Sequence, residues 1–312
     1  MDSKPLVSVL MTAYNRETFI AMSIESVLKS TYTNFELIIL DDSSTDKTVE
    51  IAQHYAQIDK RVKVFVNTHN LGELPNRDKI VSYASGIYIK YVDSDDLIYE
   101  NGLQIMIEGM LKFPDAVFGL SQFKIDLNKD EVYPKIISSE RVYQEHFYGY
   151  GTLNYGPIGA IIKKEVLVEM GGFGTNRFIG DTELWLKLVA KYPLVKMQPD
   201  LVKWVRHEGQ EFNYGVKNGF FIKKAYHVYL SALNSPNCPL NESDILKIKK
   251  RLQWKHARDI LSLVFKKGRF KMGLQIFKDS DLSFWQLLKG VLPYNVVKKN
   301  FIKKFEPITN NL

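Results

Sequence analysis

The stretch Gly86-Ile87-Tyr88-Ile89-Lys90-Tyr91-Val92-Asp93-Ser94-Asp95-Asp96 decides the fold class. Tyr88–Val92 reads as a strand, and an acidic turn closes it. Gly86 reads as the stop of helical residues that run to about Ser85. The same grammar repeats upstream. Leu6–Met11 is a β-branched and apolar run ending in Thr12-Ala13-Tyr14-Asn15, after which Ile20, Ile24, Val27 and Leu28 recur at helical spacing. Phe35–Leu40 is a second buried-strand run, closed by Asp41-Asp42, with Thr45 and Asp46 placed to cap the next helix. Val62–Val66 is a third strand. Alternating strands and helices predict an α/β domain with a mostly parallel sheet and right-handed crossovers.

Downstream the pattern thins. Leu103–Leu111 reads as a helix, Gln122–Glu145 as polar and mixed, and the glycine-rich stretch Gly149–Gly159 as a loop. Val166–Met170 is helical and stops at Gly171-Gly172-Phe173. Asp181–Leu188 starts another helix, with Leu184 and Leu188 facing inward. Beyond Phe220 the reading is helical throughout, with Phe221–Leu233 and Ile245–Phe265 as the main pieces.

The 312 residues suffice for a large α/β domain plus a smaller appendage, and 45% hydrophobic with 25% charged residues excludes disordered and fibrous classes. The charge is unevenly spread. Residues 221–312 hold 18 Lys+Arg against 6 Asp+Glu, a net of +12, so residues 1–220 carry a net of −5. This predicts a boundary between an acidic domain 1–220 and a basic helical region 221–312. The single cysteine, Cys238, fits a reducing compartment. Nothing at the start reads as a signal peptide and no run approaches membrane-spanning length. The expectation is a cytoplasmic chain, or one peripheral to the inner face of a membrane.

Thr12, Tyr14 and Asn15 follow strand one, Asp41 and Asp42 follow strand two, and Asp93, Asp95 and Asp96 follow strand four. These are the carboxyl ends of strands, where open α/β sheets bind ligands. One Asp-x-Asp is more often a capped turn, but three such turns at equivalent places point to a site. Oxygen-only ligation suits Mg2+ or Mn2+ completed by substrate phosphates.

Three segments in this order, Pro5–Asn15, Phe35–Asp46 and Gly86–Asp96, resemble a family 2 glycosyltransferase of the GT-A fold, with the match extending over roughly 5–210. The resemblance implies an inverting transfer from a nucleotide-sugar, UDP-linked by expectation, to a saccharide or lipid-linked saccharide acceptor. It implies that Thr12, Tyr14, Asn15, Asp41 and Asp42 hold the base and ribose, with Asp93, Ser94 and Asp95 beside them. Asp93, Asp95 and Asp96 are the implied metal ligands. Arg77, in Pro75-Asn76-Arg77, is read as a phosphate contact, although relatives show Arg-Asn. Arg206 and His207, in Trp204-Val205-Arg206-His207, are read as a diphosphate contact and a further metal ligand. Asp181 occupies the place of the catalytic base, with Gly180 where the usual pattern has Glu. At the start of a helix Asp181 also reads as a cap whose carboxylate the helix dipole keeps ionised.

In the tail, Val297, Phe301 and Phe305 recur at one-turn spacing among Lys299, Lys303 and Lys304. This suits an anionic membrane surface, or packing on the catalytic domain. The front part lacks aromatic–basic interleaving, so no nucleic acid is expected. A sugar-phosphate nucleotidyltransferase would need a Gly-rich loop after strand one, and Thr12–Arg16 has no glycine. A non-catalytic sugar-nucleotide binding module would not need both the acidic turn and Asp181.

Overall fold

The computed structural model describes residues 4–121, 131–149 and 151–292. The chain divides into two compact units. The first comprises the chain to Ser138 together with Asn154–Leu184 and Tyr192–Arg206. The second comprises Ser139–Leu153, Trp185–Lys191 and the chain from His207 onward. The charge step at 220/221 therefore falls inside the second unit, because packing groups residues by apolar contact and charge does not mark that contact.

The first unit is built on strands β1 (Val7–Ala13), β2 (Phe35–Asp41), β3 (Val62–Val66), β4 (Tyr88–Tyr91), β6 (Phe118–Ser121), β7 (Lys135–Ile137), β8 (Ala160–Lys163) and β9 (Leu194–Met197). They form one sheet in the order β3-β2-β1-β4-β8-β6-β9-β7. A small ribbon pairs β5 (Leu97–Ile98) with β10 (Val202–Lys203). β1, β2, β3 and β4 run parallel, as do β6 and β9. The pairs β4–β8, β6–β8 and β7–β9 are antiparallel. A crossover helix enforces parallel pairing, whereas β8 enters from the glycine-rich stretch 151–159 and is free to run back. β6, β8 and β9, four residues each, were not read as strands from the sequence, whereas β4, equally short, was marked by the acidic turn that closes it, and β7 falls in the mixed stretch Gln122–Glu145.

Helices α1 (Ile20–Leu28), α2 (Thr48–Ile58), α3 (Glu73–Lys79), α4 (Gly102–Lys112) and α6 (Lys164–Glu169) belong to this unit. Every residue of β2 is buried, as expected for a strand covered on both faces. The core joins Val9, Met11, Leu37 and Ile39 of the sheet to Ile20, Ile24 and Val27 of α1 and to Met106, Ile107 and Met110 of α4. Each such side chain contributes about 1.5–3 kcal/mol of burial free energy. The N-cap position of α2 falls on Lys47, not on Thr45 or Asp46, although the Asp46 carboxylate, one residue earlier, accepts from the Thr48 amide at 2.9 Å.

The second unit is helical: α5 (Ser139–Tyr148), the later turns of α7 (Gly180–Lys191), α8 (Glu211–Lys217), α9 (Phe220–Asn234), α10 (Glu242–Leu261), α11 (Phe270–Lys278) and α12 (Phe284–Lys289). Asn241 caps α10 by accepting from the Asp244 amide at 2.9 Å. The Asp244 carboxylate then accepts from Tyr148 at 3.0 Å and Gln144 at 3.2 Å on α5. No helix among the described residues is long and apolar enough to cross a membrane. The Val297–Phe305 segment lies outside the described residues.

Candidate active site

Register brings the polar strand ends to one edge of the sheet. Ala13 of β1 pairs with Asp41 of β2, Leu10 pairs with Tyr91 of β4, and the Val92 amide donates to Leu10 at 3.0 Å. The loops that follow hold strained backbone: Asn15 and Ser43 have φ of 51° and 66°. Such conformations cluster at functional sites.

Asp41 and Asp42 are almost wholly buried. Asp41 accepts from the Ser44 amide at 2.8 Å and the Ser44 hydroxyl at 2.5 Å. Asp42 accepts from Asn67, from the Leu71 amide and from the Gly72 amide, at 2.8, 2.9 and 2.8 Å. Both carboxylates, expected to contact donor, are thus occupied with building their own loops. Asn15 holds the same loop, its side-chain oxygen accepting from the Thr45 amide at 2.9 Å. Thr12 is partly exposed at the end of β1, and Tyr14 stands 46% exposed beyond it.

At the β4 end the Asp96 amide donates to the Asp93 carbonyl at 3.0 Å, closing the acidic turn, and Ser94 lies buried within it. Asp93 accepts from Arg77 at 2.8 Å and Asp95 from Arg16 at 3.0 Å. The Asp96 carboxylate accepts from the Val205 amide at 2.9 Å. Burial, reinforced by the Asp93 charge, pushes the Asp96 carboxyl up to about 8. Among the described residues no three His, Cys, Asp or Glu side chains form a ready-made metal cage. The chemistry of the turn still fits a hard cation that takes one or two carboxylates and completes its shell with substrate oxygens. The like charges crowded around Asp96 would be relieved by one.

Arg77, read from the sequence as a phosphate contact, is only 5% exposed. Its guanidinium lies between the rings of Tyr91 and Phe173, 5.4 and 5.6 Å from their centres, and also pairs with Glu73 at 3.5 Å. Two flanking rings and two carboxylates make a better environment for a buried guanidinium than one acid alone would.

Asp181 corrects one reading. It sits one residue inside α7, and its carboxyl accepts from the Thr182 amide at 2.6 Å. The helix dipole was expected to favour its ionised form. Burial outweighs this, and the repulsion of Glu73 adds to burial, so its pKa is pushed up to about 6. Arg77 acts on Asp181 and also holds Asp93, which links the expected base to the acidic turn. Arg206 is exposed, with its guanidinium 5.0 Å above the Trp204 ring. His207 falls in the second unit and belongs to no metal-ligating group of three among the described residues.

Residues 8–171 match the model of the family described as glycosyl transferase family 2, just over half of the chain. The chain belongs to glycosyl transferase family 2. Among curated relatives, the Escherichia coli UDP-Glc:alpha-D-GlcNAc-diphosphoundecaprenol beta-1,3-glucosyltransferase WfgD is 36% identical over 137 residues, 44% of this chain and 53% of WfgD. The chain spans about half the length of the first curated relatives it matches. Among solved structures, S. aureus TarS 1-349 in complex with UDP-GlcNAc aligns over 93% of this chain and 82% of its own, with TM-score 0.65 and 19% identity. The mannosyltransferase PcManGT from Pyrobaculum calidifontis, in complex with GDP-Man and Mn2+, aligns over 92% and 79%, with TM-score 0.60 and 16% identity. These likenesses establish the GT-A fold.

Three residues of this family 2 chain went unread in the sequence. Arg16, which braces Asp95, directly follows the Thr12–Asn15 motif, so its place was the available signal. Glu73, which braces Arg77, stands four residues before it on α3, a helical pairing distance. Lys90 gave no signal at all. It is fully buried on β4, donates to the Ile158 carbonyl, and is pushed down to about 7 by burial.

Proposed function

We propose that the chain is an inverting glycosyltransferase that moves a sugar from a UDP-sugar to the hydroxyl of a saccharide or lipid-linked saccharide, in polysaccharide or glycolipid assembly. The observation that carries this reading is the pairing of an acidic turn at the carboxyl end of β4 with Asp181, a carboxyl whose pKa of about 6 suits a general base near neutral pH. WfgD, by its name, takes UDP-Glc and a diphosphoundecaprenol-linked acceptor, and the TarS structure holds UDP-GlcNAc. Both support the donor class.

The acceptor oxygen forms its bond to the anomeric carbon as the bond from that carbon to the diphosphate breaks, its electron pair leaving with UDP. Asp181 takes the acceptor proton. Asp93, Asp95 and Asp96 would hold Mn2+ or Mg2+, which when bound neutralises charge on the leaving diphosphate. Arg77 fixes the Asp93 carboxylate and Arg16 that of Asp95. Thr12 and Tyr14 line the base end, where the Tyr14 ring is exposed enough to stack on uracil.

Calorimetry of UDP with Mn2+ or Mg2+, and again with chelator, tests the site. Affinity should rise with the cation and the rise should vanish in Asp95→Ala. Equal UDP affinity with and without cation in the wild type would remove the metal from this reading.

A further inference from the structure

Helix α11 buries one face, and both α11 and α12 leave large apolar side chains outside. On α11, Gly273 and Ile276 are buried while Phe270 and Leu274, one turn apart, are 62% and 54% exposed. A Cβ on Gly273 would meet Val264 at 2.4 Å, so this face is pressed against the turn Ser262–Lys266 that ends α10. Helix α12 packs on α10 through Gly290, where a Cβ would meet the Arg258 amide at 2.7 Å, and through Arg258 donating to the Leu292 carbonyl at 3.1 Å. Its Phe284, Trp285 and Leu288 are 60%, 73% and 42% exposed, at a spacing that makes one stripe. A capping box between Ser283 and Gln286 holds this six-residue helix formed although none of its residues is buried.

Large apolar groups left exposed in this number on two neighbouring stretches of chain call for a partner. The charge around it selects one. Residues 262–292 hold Lys266, Lys267, Arg269, Lys271, Lys278 and Lys289 against Asp279 and Asp281, a net of +4. Asp279 is itself neutralised by Lys223 at 2.6 Å. A second copy of this surface would set like charge against like. Aromatic and aliphatic groups interspersed with cations match the headgroup layer of an anionic bilayer, where rings sit at the interface and lysines reach the phosphates.

We propose that the exposed apolar side chains of α11 and α12 dock on an anionic lipid surface, with Phe270, Phe284 and Trp285 entering the headgroup layer. This places the membrane contact on formed helices instead of the basic tail at Val297–Phe305. It stands independently of the donor reading, since its test uses no sugar.

The full chain is sedimented with vesicles of phosphatidylcholine alone and of phosphatidylcholine mixed with phosphatidylglycerol, at low and high salt. Binding should require phosphatidylglycerol and weaken with salt. The double change Phe284→Ser with Trp285→Ser should lower it roughly tenfold or more, because binding scales with buried apolar area plus attraction to anionic lipid. Lys266→Gln with Lys267→Gln should weaken it in low salt and reduce its salt dependence. The melting temperature of both variants should stay at the wild-type value. A wild-type chain that stays in the supernatant with phosphatidylglycerol would overturn the proposal. So would a serine variant that binds undiminished. A serine variant that fails to fold, or that converts an oligomer to monomer, would also overturn it by showing that protein covers these side chains.

Discussion

Asp181 and Arg77 separate charge from chemistry at the scale of single residues. Burial raises the Asp181 pKa to about 6, so in the folded state the proton is held more tightly than in the unfolded chain. The sign follows. Ionising Asp181 costs the folded state, so its contribution falls as pH rises from the ordinary carboxyl range through about 6 and stays reduced above. Asp181→Asn should therefore raise stability by on the order of 2 kcal/mol at pH 8, read by urea unfolding. The same change should cut transfer roughly a hundredfold or more with UDP affinity unchanged. A mere helix cap would show the stability gain but leave transfer intact, because Asn caps as well as Asp. In the wild type, transfer should fall about tenfold per pH unit below pH 6 as the base is protonated. Arg77→Ala strands the Asp93 carboxylate and empties the space between Tyr91 and Phe173, and should cost about 3–5 kcal/mol. Arg77→Lys keeps the charge but loses the fork, so a large part of that loss should remain, as thermal melting would read. Sequence singled out the acidic turn because motif and strand end coincide there. It carried no sign of the burial of Arg77, because inward and outward arginines look alike in a chain of letters.

At the scale of elements, one polar node splices the three strands that aim the site. The buried Glu36 on β2 accepts from the Ser8 hydroxyl on β1 and from the Ser85 amide, each at 2.6 Å, and from Lys63 on β3 at 2.8 Å. Burial raises its pKa, yet these donors outweigh burial and hold it below the usual range. The Gly86 amide in turn donates to Ser8 at 2.8 Å. A Cβ at Gly86 would meet the Ser8 amide nitrogen at 2.5 Å and the Leu6 carbonyl at 2.8 Å, both backbone atoms that cannot step aside. Gly86→Ala should therefore destabilise by about 1–3 kcal/mol or more and weaken UDP binding, since β1 and β4 must part for the methyl group. Thermal melting with calorimetry checks both. Read from sequence, Gly86 was a helix stop. Its closest constraint is the neighbouring strand, and no local pattern encodes the distance between two segments 78 positions apart.

Across the whole molecule, acid should act first on the helical unit. His146 is buried, accepts from the Leu153 amide at 3.1 Å, and is pushed down to about 3 by burial. His256 stacks on Tyr226 at 4.1 Å and is pushed down to about 4, again by burial. Both pKa values are depressed, so the unfolded state binds more protons once pH drops below about 6.5, the ordinary histidine value. The stability they protect is full above that pH and is lost progressively down to about 4 and 3. Unfolding stability should fall by several kcal/mol between pH 7 and pH 4, and His256→Phe should flatten that dependence in urea titrations. Neither histidine carried a readable signal, because only tertiary packing strips a side chain of water. Strand–helix alternation, strand-end carboxylates and the charge step are local or compositional properties, and these the sequence determined alone: the α/β class, the acidic turn after β4 and the basic tail region. The antiparallel return of β8, the burial of Arg77, the raised pKa of Asp181 and the boundary at His207 were decided by tertiary structure. Each depends on which distant groups exclude water from a side chain or pair with its backbone, and no single window of sequence holds both partners.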